Sequence, residues 1–172
     1  RGRTAAKIAQ LYTEQIKNRD PGSDDAQNEL AKLEPHKLTA EQLYMFDYQL
    51  YTPNSTMYNL FNMLRIEKEG IDLDRMAKAI EMAIKNHPAF STIIQFNEDG
   101  DLIQYYDSQM SVTVALEKIS TCEFEKIKNT LVQPFKIVNS PLFRCRLFET
   151  EDAAYLFFDV HHIIYDGTSF KV

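Results

Sequence analysis

Two apolar runs late in the chain, Leu142–Phe148 and Tyr155–His161, flank the acidic break Glu149-Thr150-Glu151-Asp152. Both are short, and the second is rich in aromatic residues, so both read as buried strands rather than helices. Joined across an acidic break, they should pair antiparallel and deliver His161 and His162 to the edge of a sheet. A sheet of this kind needs cover, and in an α/β (α+β) chain the cover comes from helices.

The upstream sequence supplies it. Residues from Asp72 to His87 place Leu73, Met76, Ala77, Ile80, Ala83, Ile84 and His87 on one stripe, and Pro88 stops the helix. Thr39-Ala40-Glu41-Gln42 has the form of a capping box and opens a helix to about Leu50 that buries Leu43, Phe46 and Leu50. Ser120-Thr121-Cys122-Glu123 is a second such box, opening a helix through Leu131. Between the helices, residues from Met57 to Glu67 read as a strand with Tyr58, Leu60, Asn62, Leu64 and Ile66 on one face. Ser91–Phe96 and Leu102–Tyr106 form a hairpin whose turn contains Asp99-Gly100, and Val112–Leu116 alternates as a further strand.

Ahead of these elements lie a helix from Thr4 to about Lys17 and a polar connector over residues 19–37 with turn chemistry at Asp20-Pro21-Gly22. The division expected is 1–18, 19–37 and a domain over 38–172. Arg1 in place of Met, and an end shortly after Gly167, give the expectation of a fragment.

With 44% hydrophobic residues, the 172-residue chain has material for one real core. A net charge of −6 with no basic run argues against nucleic acid as the main partner. No apolar stretch approaches the ~20 residues that span a bilayer, and no signal peptide is visible, so a cytoplasmic protein is expected. Cys122 and Cys145 lie far apart and read as reduced thiols.

The chemistry concentrates at Asp159-Val160-His161-His162-Ile163-Ile164-Tyr165-Asp166-Gly167. An imidazole titrates near neutrality, and a histidine at a strand end with an aspartate nearby suits a general base. The same spacing suits a hydrogen-bonded structural pair. If the strand period holds through residue 162, the two imidazoles point to opposite faces, so they do not clamp one metal ion.

His161-His162-x-x-x-Asp166-Gly167 resembles the HHxxxDG signature of the condensation domains of nonribosomal peptide synthetases, relatives of chloramphenicol acetyltransferase. Three upstream segments resemble further family motifs in family order: Leu38-Thr39-x-x-Gln42, then His87-Pro88-Ala89-Phe90-Ser91-Thr92, then Pro134-Phe135 with Pro141-Leu142-Phe143-Arg144. Thr4–Leu11 resembles, more weakly, the last helix of a peptidyl carrier protein. The sequence departs from the family at Tyr44, Asn86 and Ser91, where arginines are usual.

The resemblance implies one chloramphenicol-acetyltransferase-like lobe, a mixed, mostly antiparallel sheet flanked by helices, which is the N-terminal half of a pseudo-dimeric domain. It implies amide formation between acyl or peptidyl and aminoacyl thioesters presented on 4′-phosphopantetheine arms of upstream and downstream carrier domains, with no cofactor or metal held by the lobe itself. His162 would be catalytic. His161, Asp166 and Gly167 would support it, and with the family arginines replaced, Arg144, Arg146 or a group in the missing half of the domain are the candidate charge partners of Asp166. His87 reads as a helix-end packing residue. An epimerisation, cyclisation or O-acyltransferase lobe, or a degenerate docking domain, fits the same motif, and a single lobe is expected to be inactive in isolation.

Overall fold

The computed structural model describes residues 34–166. The expected N-terminal helix, the connector up to residue 33, Gly167 and the helical turn at Ser169–Val172 lie outside the described residues. Among those described, no helix is long and apolar enough to cross a membrane.

The strands fall into two sheets. The larger has the order β2 (Asn59–Ile66), β7 (Ala154–His161), β6 (Phe143–Glu149), β5 (Leu116–Lys118), antiparallel except for the parallel β5–β6 pair. The smaller has the order β1 (His36–Lys37), β4 (Leu102–Tyr106), β3 (Thr92–Phe96), all antiparallel. His36 and Lys37, assigned to the connector in the sequence, thus pair with β4.

The β6–β7 hairpin forms as its composition predicts and is the centre of the fold. Period-two alternation sends Leu156, Phe158 and Val160 into one apolar cluster and Tyr155 and Phe157 into another. The first cluster is covered by α2 (Leu73–Lys85) through Ala77 and Ile84. The second is covered by α3 (Thr121–Ile127) through Phe124, whose ring stacks on Tyr155 at 4.1 Å. Burying a side chain of this size is worth about 1.5–3 kcal/mol, so a strand filled on both faces is firmly held.

Local signals set the helix starts. Ser120 and Glu123 cap α3 reciprocally, and Asp72 accepts the Arg75 N–H at 2.9 Å to open α2. The α2 helix ends at Lys85, ahead of the exposed His87, because Pro88 starts a short 3₁₀ turn at Pro88–Ser91. In the β3–β4 turn Gly100 has φ +82°, which a side chain would strain.

Two expectations are corrected. Helix α1 (Ala40–Tyr51) has its capping box at Thr39 and Gln42, but it buries Gln42, Phe46 and Gln49 while Leu43 and Leu50 are 40% and 63% exposed. The helix is turned by its polar residues: Gln49 Nε2 lies within 3.1–3.4 Å of the carbonyls of Thr52, Pro53 and Ser55, closing the loop that follows. The strand expected at Val112–Leu116 begins only at Leu116. Upstream, the Val114 N–H donates to the Glu81 carboxylate at 2.7 Å, so that backbone group is taken by a side chain of α2 rather than by a ladder.

Candidate functional site

Strand β7 carries its pairing to its last residue. Asn59 faces His161 across the β2–β7 ladder, the His161 N–H donates to the Leu142 carbonyl, and the His162 N–H donates to the Tyr58 carbonyl, both at 2.8 Å. The chain then turns at once: the N–H groups of Ile164 and Tyr165 donate to the carbonyls of His161 and His162. On the far side of the turn the Tyr165 ring stacks on Phe90 at 6.0 Å. The imidazoles are therefore mounted on a short turn fixed at both ends.

The two histidines occupy different environments. His161 is fully buried, with Phe135 edge-on at 5.9 Å and Tyr58 at 6.0 Å. Its Nδ1 accepts the Ile163 N–H at 3.1 Å, which leaves the ring proton of the neutral form on Nε2. Burial, reinforced by the charge of His162 when protonated, pushes its pKa down to about 4. His161 is thus neutral at pH 7 with its lone pair engaged, which makes it a poor base. His162 is half-buried and reaches the surface, its ring edge-on to Tyr58 at 6.4 Å. Its Nδ1 has no hydrogen-bond partner among the described residues.

Beneath the pair lies a polar cluster. Asp159 is fully buried two residues before His161, so it shares its face of β7. Asn59 Nδ2 lies 2.9 and 3.1 Å from the two Asp159 oxygens and 2.9 Å from the Gln133 carbonyl, and the Arg144 guanidinium stands 3.6 Å from the carboxylate. Burial raises the Asp159 pKa, opposed by the Asn59 bonds and by Arg144. Arg144 also lies 3.8 Å over the Phe135 ring and donates to the Gln133 and Pro134 carbonyls. A chain of contacts therefore runs from Asp159 through Arg144 and Phe135 to the His161 ring.

The two arginines expected beside Asp166 each have another carboxylate at hand: Arg144 faces Asp159, and Arg146 makes a two-point pair with Glu117, each contact 2.7 Å. Both sit on β6 on the face opposite Phe143 and Cys145, and there the nearest carboxylates come from neighbouring strands. Asp166 is half-buried beside Tyr165, while Gly167 lies outside the described residues. Ser91 is buried at the end of the 3₁₀ turn, and Asn86 is the C-cap of α2. His87 is exposed, its ring edge-on to Phe90.

Sequence reasoning gave no role to Asn59, Asp159 or Gln104, and read Gln42 as a cap and as part of a segment resembling a family motif, without a contact to the histidine turn. The available signal was a polar residue inside an apolar run: Gln104 within Leu102–Tyr106 and Asp159 within Tyr155–His161. In such places a polar side chain is expected to have a buried partner.

The profile of the condensation-domain family matches residues 34–172, which contain the whole described fold. The chain belongs to the condensation-domain family. It is 30% identical to surfactin synthase subunit 1 of Bacillus subtilis over 82% of its own length and 4% of that protein. It is likewise 30% identical to tyrocidine synthase 3 of Brevibacillus parabrevis, over 98% of its length and 2% of that protein. The first condensation domain of the calcium-dependent antibiotic synthetase, solved with a substrate analogue, superposes with a TM-score of 0.61 at 19% identity, covering 80% of this chain and 36% of that one. The chain therefore spans a small fraction of its curated relatives and about a third of a solved condensation domain. That likeness matches the mixed, mostly antiparallel sheets flanked by helices described above.

Proposed function

We propose that this segment is the histidine-bearing part of a condensation domain that joins an acyl or peptidyl thioester to an aminoacyl thioester, each presented on a carrier domain by a phosphopantetheine arm. The acceptor amine attacks the thioester carbonyl; a C–N bond forms, the C–S bond breaks, and the thiol leaves on the donor arm. His162 takes the proton shed by the amine nitrogen and returns it to the thiolate. His161 and Asp166 support the turn, and Gly167 completes the motif in sequence. No cofactor or metal ion is required of the lobe itself.

The observation that carries this reading is the asymmetry of the pair: one imidazole sealed and neutral, the next on the same turn and partly open. Magnitudes set the share of each contribution. An α-amine of pKa ~8 is about one-tenth neutral at pH 7, so its deprotonation costs only about 1 kcal/mol. A general base adds ~10²–10⁴-fold, about 3–5 kcal/mol. Aligning two tethered reactants adds ~7–11 kcal/mol. Positioning thus outweighs proton transfer, and it needs both carriers and the remainder of the domain.

The test is to load both carriers chemically, add the full polypeptide, and look for the carrier-bound amide by mass spectrometry. The amide is expected with the full polypeptide and not with residues 34–172 alone. Absence of amide with the full polypeptide across a panel of donors and acceptors contradicts the reading. A second reading, a lobe that docks carriers without catalysis, draws support from the buried Ser91 and capping Asn86 at positions where the family carries arginine. It predicts that replacing His162 leaves product formation by the synthetase unchanged.

A further inference from the structure

We infer that Gln42 is a positioning residue for the histidine turn, acting through the carbonyl of Ile163; the inference rests on the reading of His162 given above. Gln42 is 6% exposed, and every hydrogen-bonding site of its side-chain amide is used. Oε1 accepts the Thr39 N–H at 3.0 Å and Gln104 Nε2 at 3.1 Å. Nε2 donates to Gln104 Oε1 at 3.0 Å and to the Ile163 carbonyl at 2.9 Å. Gln104, itself 4% exposed, returns the amide pairing face to face.

One side chain thereby ties three parts of the fold together: the start of α1, the middle of β4 in the smaller sheet, and the peptide that follows His162. Helix capping explains only the Thr39 bond, which a glutamate would make equally well. It does not explain the donation to Ile163, 121 residues away in sequence. That bond holds the one carbonyl between His162 and Ile164, in a turn whose other fixed points are the ladder at Tyr58 and the ring stack at Tyr165. A buried amide network with all partners in place is rigid, and a network with one donor removed is not, because the orphaned carbonyl must move to find another partner. A shift of about 1 Å in a reacting group costs on the order of 10²-fold in rate.

The substitution that separates the two roles is Gln42→Glu. It keeps the shape and the cap on Thr39 but presents acceptors to the Ile163 carbonyl and to Gln104 Oε1. In the full polypeptide with loaded carriers, assayed below the unfolding transition of each variant, Gln42→Glu is expected to lower kcat about 10²-fold, with KM for both carriers unchanged and Tm lowered by the buried carboxylate. In a His162→Ala background the same change is expected to have no further effect, since both act on one group. Gln104→Met, which leaves the Gln42–Ile163 bond but frees the amide behind it, is expected to lower kcat by a smaller factor and serves if Gln42→Glu does not fold. An unchanged kcat in whichever variant folds, or a Gln42→Glu loss that persists in full in the His162→Ala background, overturns the role of Gln42 while leaving that of His162 intact. If His162→Ala alone leaves turnover unchanged, the reading of the site fails and the role of Gln42 fails with it.

Discussion

The Nδ1 atom of His161 accepts the backbone N–H of Ile163 at 3.1 Å inside a fully buried pocket. Burial of the charge, with a protonated His162 adding to it, holds the pKa of His161 at about 4. The unfolded chain takes up this proton near pH 6.5 and the folded chain near 4, so the unfolded state binds more protons between those values. Folding stability is therefore full above pH 6.5 and falls progressively toward pH 4, by about 3 kcal/mol from this group. His161→Asn keeps an acceptor for Ile163 and does not titrate. Urea unfolding at pH 7.5 and pH 4.5 is expected to show a smaller acid loss in His161→Asn than in the parent.

Arg144 and Asp159 form a pair with one member fully buried and the other 27% exposed. Breaking a fully buried pair costs ~3–5 kcal/mol; with Arg144 part-solvated, Arg144→Met is expected to cost about 2–3 kcal/mol. Most of that is the uncompensated Asp159 carboxylate, so adding Asp159→Asn to Arg144→Met should recover about 1 kcal/mol or more. A thermodynamic cycle by denaturant unfolding measures this. Strict additivity of the two substitutions would contradict the pairing.

Cys145 faces Phe158 across the β6–β7 ladder, and burial pushes its thiol up to about 11. At pH 8 about one molecule in a thousand would carry the thiolate there. Cys122 is exposed on α3. Alkylation of the native protein, followed by peptide mass spectrometry, is expected to label Cys122 rapidly and Cys145 only after denaturant is added. Rapid native labelling at Cys145 would contradict the packing of β6 against β7.

What was legible in the sequence was what depends on neighbours along the chain. The caps at Thr39 and Ser120, the Asp99-Gly100 turn and the β6–β7 hairpin are local signals, and all four form as read. What was not legible depends on partners distant in sequence. Leu43 and Leu50 were expected inside because they are apolar; the helix instead turns Gln42 and Gln49 inward, since their amides meet Gln104, Ile163 and the loop carbonyls. Arg144 and Arg146 were matched to Asp166 by charge alone, and the carboxylates of Asp159 and Glu117, which the register sets beside them, were not foreseen. The histidine pair was visible as a motif, whereas the difference between its members is set by Phe135, Tyr58 and the turn at Ile163.

The central claim is a division of labour on one turn, with His162 handling the proton and His161 holding the backbone. Single-turnover amide formation by the full polypeptide, with both carriers loaded and Tm checked for each variant, tests it most directly. His162→Ala is predicted to slow the step by ~10²–10⁴-fold, while His161→Asn, which keeps the Ile163 bond, is predicted to stay within about tenfold of the parent. A His162→Ala rate equal to the parent, or a His161→Asn loss as large as that of His162→Ala in a folded protein, would contradict the account.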